Sequence, residues 1–177
     1  MRYLVISDIH ANLSALRAVL DAVQHFDKIW CLGDLVGYGP DPNRCIECLR
    51  ELPLECVAGN HDWGTVGRGN LLVFHNDARQ ILHWTRNKLS PENYAFLSEL
   101  PTTVDKGGYL LVHGSPRDPI WEYIIDVGSA KKSFLSFGFR IAFVGHTHVP
   151  VIFEYVEDGK RVQLLWPSWE EPISVQG

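Results

Sequence analysis

Long apolar runs are missing from this chain: none approaches the ~20 residues that span a bilayer. Basic excess is missing too. With 16 Lys and Arg against 21 Asp and Glu, the net charge is −5, which offers no electrostatic footprint for a nucleic-acid backbone. Cysteine is scarce, at four residues. Cys45 and Cys48 make a C-x-x-C, but no second pair exists to complete a zinc site. With Leu49 and Leu52 they fall at i, i+3, i+4 and i+7, the buried stripe of a helix, where free Cys acts as a small hydrophobe. Cys31 and Cys56 fall inside predicted strands, and reduced buried thiols suit a cytoplasmic protein. Met1-Arg2 leads straight into a strand, so no signal peptide is read. No internal repeat or low-complexity tract appears. What remains, 46% hydrophobic and 21% charged residues, is the composition of one globular domain over residues 1–177 with a core of its own.

The first half alternates strand and helix. Strands are expected at 2–7, 28–32 and 55–58, with helices at 12–25 and 42–52 between them. Leu13, Leu16, Leu20 and Val23 share one face of the first helix, and Asn12 or Ser14 is placed to cap it. This βαβαβ order implies parallel strands covered by helices. Gly64 to Gly69 reads as a loop. A helix follows over 75–89, and Ser90-Pro91 reads as the N-cap and first residue of another short helix. Strands are then expected at 102–105, 109–113, 141–144, 150–156 and 161–166, with a helix at 129–137 and a hairpin turn at Glu157-Asp158-Gly159-Lys160.

Five polar blocks follow five of these apolar runs: Asp8-Ile9-His10, Gly33-Asp34, Gly59-Asn60-His61-Asp62, His113-Gly114 and Gly145-His146-Thr147-His148. Leaving Asp62 aside, they offer two carboxylates, one amide oxygen and five imidazoles. Strand ends that finish in metal-ligand residue types point to one site at a sheet edge, where open α/β sheets bind ligands. Carboxylate, amide and imidazole donors suit Mn²⁺, Fe or Zn²⁺, with Mn²⁺ favoured. The donors are too many for one open tetrahedral site. They suffice for two ions sharing a carboxylate, which gives the lone Asp34 a role as bridge. Two divalent ions against Asp8, Asp34 and a bridging hydroxide leave a site of about +1 that attracts an anion. Phosphate esters fit, since both ions can hold non-bridging oxygens while hydroxide attacks phosphorus in line.

In order, these blocks resemble the calcineurin-like metallophosphoesterase family, with its D-x-H, G-D, G-N-H-[DE], separate His and G-H-x-H pattern, across residues 8 to 148. The resemblance implies an α/β (α+β) double β-sandwich flanked by helices, four layers deep. It implies that Asp8, His10 and His148 bind one metal, that Asn60, His113 and His146 complete the second, and that Asp34 bridges. His61 would contact the phosphate and protonate the leaving oxygen rather than bind metal, with Asp62 helping to orient its ring.

Two departures from the family pattern matter. The protein Ser/Thr phosphatase branch carries G-D-x-V-D-R-G; here Gly37 replaces the Asp that orients the histidine, and Tyr38 replaces a phosphate-gripping Arg. The small bacterial and archaeal phosphodiesterase branch, or a related diadenosine-tetraphosphatase branch, fits better. Past Gly145-His146-Thr147-His148 the chain stops after Trp166-Pro167-Ser168-Trp169 without an N-P-G-S turn, which implies a shortened C-terminal sheet. The expected function is therefore a two-metal phosphodiesterase acting on a small nucleotide-type substrate. The alternatives are a non-catalytic or truncated binding module of the same fold, and a protein phosphatase-like phosphomonoesterase. Of the other basic residues, His75, Arg79, His83 and Arg86 read as a solvent face or the mouth of a cleft, and Arg117 as a weaker candidate for a phosphate contact.

Overall fold

In the computed structural model, residues 1–156, 161–168 and 172–173 are described. The first sheet is parallel and three-stranded, β1 (Tyr3–Ile6), β2 (Lys28–Cys31) and β3 (Leu54–Cys56), in the order β1-β2-β3. Its register aligns Ile6 with Cys31 and Cys31 with Cys56. The three strands therefore end in one row, and the loops that carry Asp8, Asp34 and Asn60 leave it side by side.

Alternation along a strand sends neighbouring side chains to opposite faces. Ile29 and Cys31 join one buried cluster with Leu13 and Leu16 of α1 (Leu13–Ala22), Cys45, Ile46 and Leu49 of α2 (Pro42–Arg50), and Leu97 of α5 (Pro91–Glu99). Trp30 and Leu32 point the other way, into a cluster with Val57, Leu111, Tyr109 and Phe143. The last three belong to the second sheet, β4 (Thr103–Asp105), β5 (Tyr109–Val112) and β6 (Ile141–Phe143). Burial on both faces is why the strands of the first sheet read as unbroken apolar runs.

The sandwich and its helical cover match the expectation, and its second half is divided. Strands β4 and β5 are antiparallel, β5 and β6 parallel. Strands β7 (Ile152–Val156) and β8 (Arg161–Leu165) form a separate antiparallel pair. Helix α6 (Val127–Ser136) packs on that pair, with Ala130 and Phe134 against Val162, Phe153 and Tyr155. The hairpin turn expected at 157–160 lies outside the described residues.

Local chemistry set most of the boundaries. The Asn12 side chain accepts from the Ala15 N–H at the start of α1, and Ser90 does the same for Asn93 ahead of Pro91 in α5. Helix α4 spans Asn76–Lys88 with Ala78 and Leu82 buried. All four cysteines are free, and Cys45 and Leu49 are fully buried, so the C-x-x-C is a core stripe. The glycine-rich loop needs correction at its start. Helix α3 runs from Asn60 to Thr65, and Gly64 is a helical residue tucked under the Leu82 methyl, where a Cβ would stand 2.7 Å from Cδ1. A side chain there would force the Leu82 methyl of α4 to shift.

Candidate metal centre

Loops at the ends of β1, β2, β3, β5 and β6 carry the polar residues into one place. Among the described residues, three donor groups have their ligand atoms within 4.8 Å of one another: Asp8, His10 and His148; Asp34, His113 and His146; and His10, Asp34 and His61. The first group brings together the three residues assigned to one half from the sequence, and the second brings Asp34 together with two of those assigned to the other. Asp34 lies between them. Its Oδ2 is 3.8 Å from His10 Nε2 and 3.4 Å from His113 Nε2. Asn60 joins the second group, with Oδ1 2.9 Å from His113 Nε2.

The donor set fits a pair of cations. His10 Nδ1 lies 3.2 Å from the Val36 carbonyl, and His113 Nδ1 lies 2.8 Å from the Leu32 carbonyl. A carbonyl only accepts, so both Nδ1 atoms carry hydrogen and both Nε2 lone pairs face inward. His10 Nε2 then meets His148 Nε2 at 3.2 Å, and His113 Nε2 meets His146 Nδ1 at 3.1 Å. Atoms bound to one metal at ~2.1 Å are separated by about 3.0–3.4 Å for angles between square and tetrahedral. Each such pair needs either a proton shared between the two nitrogens or a cation that both can bind.

Electrostatics agree. Burial alone would raise the Asp34 carboxyl, but the His113, His61 and His10 imidazoles hold it well below its usual range. Burial works against charging His113, yet Asp34 and then Asp8 outweigh it and push the imidazole up to about 9. His146 is pushed down to about 4, first by burial and then by His113, and its Nε2 is buried without a partner.

Backbone strain is concentrated here. Among the described residues seven non-glycine residues have positive φ, and five of them are candidate ligands: Asp8 (54°), His10 (49°), Asp34 (53°), His146 (68°) and His148 (55°). Ala11 and Tyr38 are the other two. Each such residue costs about 1–3 kcal/mol and persists only where its surroundings over-determine it. Gly59 is required for a related reason: a Cβ there would collide with the Asp34 carboxylate and backbone nitrogen.

His61 sits in the first turn of α3, 5% exposed. Its backbone N–H donates to Asp34 Oδ1 at 2.9 Å. Its ring is bordered by His10, Tyr38 and Phe74 at centroid distances of 4.9, 4.6 and 5.2 Å. Burial pushes it down to about 4 although Asp34 opposes this. Nδ1 is buried without a partner and faces Gly37, so Nε2 is the atom left to meet the cluster or a ligand. The expected aid from Asp62 is corrected by the structure. Fully buried Asp62 accepts from the Gly59 and Val36 N–H groups at 3.0 and 3.2 Å and pins the two loops together. Burial, then Asp34, raises its pKa to about 7.

The remaining sequence candidates stay outside. His75, His83 and Arg86 are exposed along α4, and Arg86 lies over the Tyr94 ring at 5.7 Å. Arg117 is paired with Glu122. What the sequence did not reveal is the aromatic border. Tyr38 lies edge-on to His10 at 4.8 Å, and Tyr123 stacks on His146 at 3.7 Å and 16°. Burial and then Asp34 raise both phenol pKa values, and Tyr123 also feels Tyr38. An exposed Tyr in a loop carries no periodicity, so no pattern announces it.

Comparison with known proteins gives the same picture. The model of the calcineurin-like phosphoesterase superfamily domain matches residues 1–167. A metallophosphoesterase from Sphaerobacter thermophilus superposes with a TM-score of 0.87 at 45% identity, covering 100% of this chain and 73% of that one. An uncharacterized protein of Methanocaldococcus jannaschii is 41% identical over 155 residues, 84% of this chain and 63% of its own length. A symmetrical bis(5'-nucleosyl)-tetraphosphatase of Cellvibrio japonicus is 31% identical over 134 residues, 66% of this chain and 45% of its own. The chain thus spans about half to two thirds of these curated relatives. The matched family is one of metal-dependent phosphoesterase hydrolases. A family match that runs through all five loops of candidate ligands, on the same sandwich, makes this chain a member of the calcineurin-like phosphoesterase superfamily.

Proposed function

We propose that the chain hydrolyses phosphodiester bonds of a small nucleotide-type substrate, using two divalent ions. The observation that carries this reading is the convergence of ligand atoms in two groups, with Asp34 3.8 Å from His10 of one and 3.4 Å from His113 of the other. Asp8, His10 and His148 would hold one ion, Asn60, His113 and His146 the other, and Asp34 would serve both. Manganese is the ion we expect, given a carboxylate, amide and imidazole donor set. When bound, the pair supplies Lewis acidity and a water acidified toward neutral pH.

The chain's own residues do the rest. His148 is half exposed while His113 is fully buried, so the ester enters from the His148 side. His61 reaches the phosphate through Nε2 and gives a proton to the departing oxygen. Burial holds its pKa low, and the negative charge of a bound phosphate favours its protonation. The tetraphosphatases among the relatives support a nucleotide-type substrate. Gly37 speaks against the protein phosphatase branch, because no side chain fits between it and His61. No helix of the described residues is long and apolar enough to cross a membrane, and four free cysteines support a reducing compartment, the cytoplasm.

The test is hydrolysis of bis(p-nitrophenyl) phosphate by protein stripped with chelator and reloaded. Activity should vanish with the metal and return with Mn²⁺. Full activity in stripped protein would refute the metal mechanism. No activity with any ion or ester would favour a binding module of the same fold.

A further inference from the structure

Two tyrosines border the ligand cluster at opposite ends. Tyr38 closes the side of His10 and His61, at 4.8 and 4.6 Å. Tyr123 closes the side of His146, stacked at 3.7 Å. Both are about half exposed, 55% and 51%, although their rings lie against candidate ligands. Tyr38 holds this place at a φ of 59°, a conformation a bulky residue adopts only when the surrounding chain imposes it.

Among the described residues, the ion pairs of Asp8 and Asp34 are all with histidines. The arginine placed nearest in sequence, Arg117, is tied to Glu122. The two rings bring phenol hydroxyls to the cluster's border, and these donate hydrogen bonds and carry no charge.

Resting on the phosphodiesterase reading above, we propose that Tyr38 and Tyr123 are specificity-determining residues that grip the non-bridging oxygens of the ester from two sides. Neutral donors satisfy a monoanionic phosphodiester and leave the second charge of a dianionic monoester without a partner. The site thus selects diesters by charge.

The test compares metal-reconstituted wild type with Tyr38→Phe, Tyr123→Phe and Tyr38→Arg. Bis(p-nitrophenyl) phosphate serves as the diester and p-nitrophenyl phosphate as the monoester. Metal content is measured on every sample. The Phe variants keep the rings on His10 and His146 and lose only the hydroxyls. Each should raise KM for the diester roughly tenfold, the scale of one hydrogen bond to a charged group, with metal content unchanged. Tyr38→Arg should lower the diester-to-monoester ratio of kcat/KM at least tenfold.

Calorimetry with dimethyl phosphate and inorganic phosphate gives a readout without turnover. Wild type should prefer dimethyl phosphate, and Tyr38→Arg should reverse that preference. An unchanged ratio and unchanged binding in all three variants would overturn the proposal. So would loss of metal in the Phe variants, which would reduce the tyrosines to props for His10 and His146. If wild type hydrolyses neither ester, the hydrolytic reading fails, and the calorimetric preference alone decides the proposal.

Discussion

Gly37→Ala tests how tightly the site is built around His61. A Cβ at Gly37 would stand 2.5 Å from His61 Nδ1 and 3.0 Å from Cγ, where ordinary contact begins at 3.4 Å. The ring would have to retreat by about 1 Å, a displacement that can cost ~10²-fold in rate. It has nowhere to go, since Phe74, Tyr38 and His10 border it. The backbone adds a second cost, because Gly37 has a φ of +93° and an L side chain there costs about 1–2 kcal/mol.

Gly107 separates the two costs. It has a φ of +71° and nothing within 4 Å of a new Cβ. Gly107→Ala should lose only the backbone penalty, roughly 1 kcal/mol. Gly37→Ala should lose that and a further 1–3 kcal/mol or so of overpacking. At about 2–4 °C per kcal/mol for a chain this size, Tm should fall by roughly 2–4 °C in the control and by twice that or more in Gly37→Ala. Thermal unfolding measures the difference. Rates on an ester with a poor leaving group measure the displaced ring, with metal content unchanged. Equal Tm losses in the two variants, with full activity in Gly37→Ala, would show that His61 does not rest on Gly37.

Three further outcomes are expected. Asp34→Asn should weaken both ions while His10→Ala mainly empties one, as read by elemental analysis; a fully loaded wild type with one ion per chain would end the bridging assignment. His61→Ala should lose about 10²–10⁴-fold more rate on an alkyl or ribose leaving group than on nitrophenolate, which departs without a proton, and equal losses on both would point to phosphate binding instead. Asp62→Ala should cost about 2–4 kcal/mol in denaturant unfolding, because the buried Gly59 and Val36 N–H groups both lose their acceptor; a loss below ~1 kcal/mol would show that the two loops hold together without it.

The candidate ligands were legible in the sequence because metal chemistry restricts residue type. Asp8, His10, Asp34, Asn60, His113, His146 and His148 each close an apolar run, and a buried strand has to be apolar on both faces. The parallel order of β1, β2 and β3 followed from strand–helix alternation, and the caps of α1 and α5 from single side chains, Asn12 and Ser90. These are local or periodic properties.

Contacts between distant segments were not legible. Register decided that Ile6, Cys31 and Cys56 end in one row, which brings Asp34 within reach of both His10 and His113. Gly37 read as a substitution in a loop, and only the fold showed that its missing side chain is the space His61 fills. Asp62 looked like a partner for that ring and proved to be a clasp between two backbones. Tyr123 gave no sign in the sequence of lying on His146. The chain by itself determined which atoms can bind metal, because that depends on residue chemistry. The tertiary structure decided which atoms face one another and what surrounds them, because that depends on where β2, β5 and the loop after Gly33 bring residues that are far apart in the sequence.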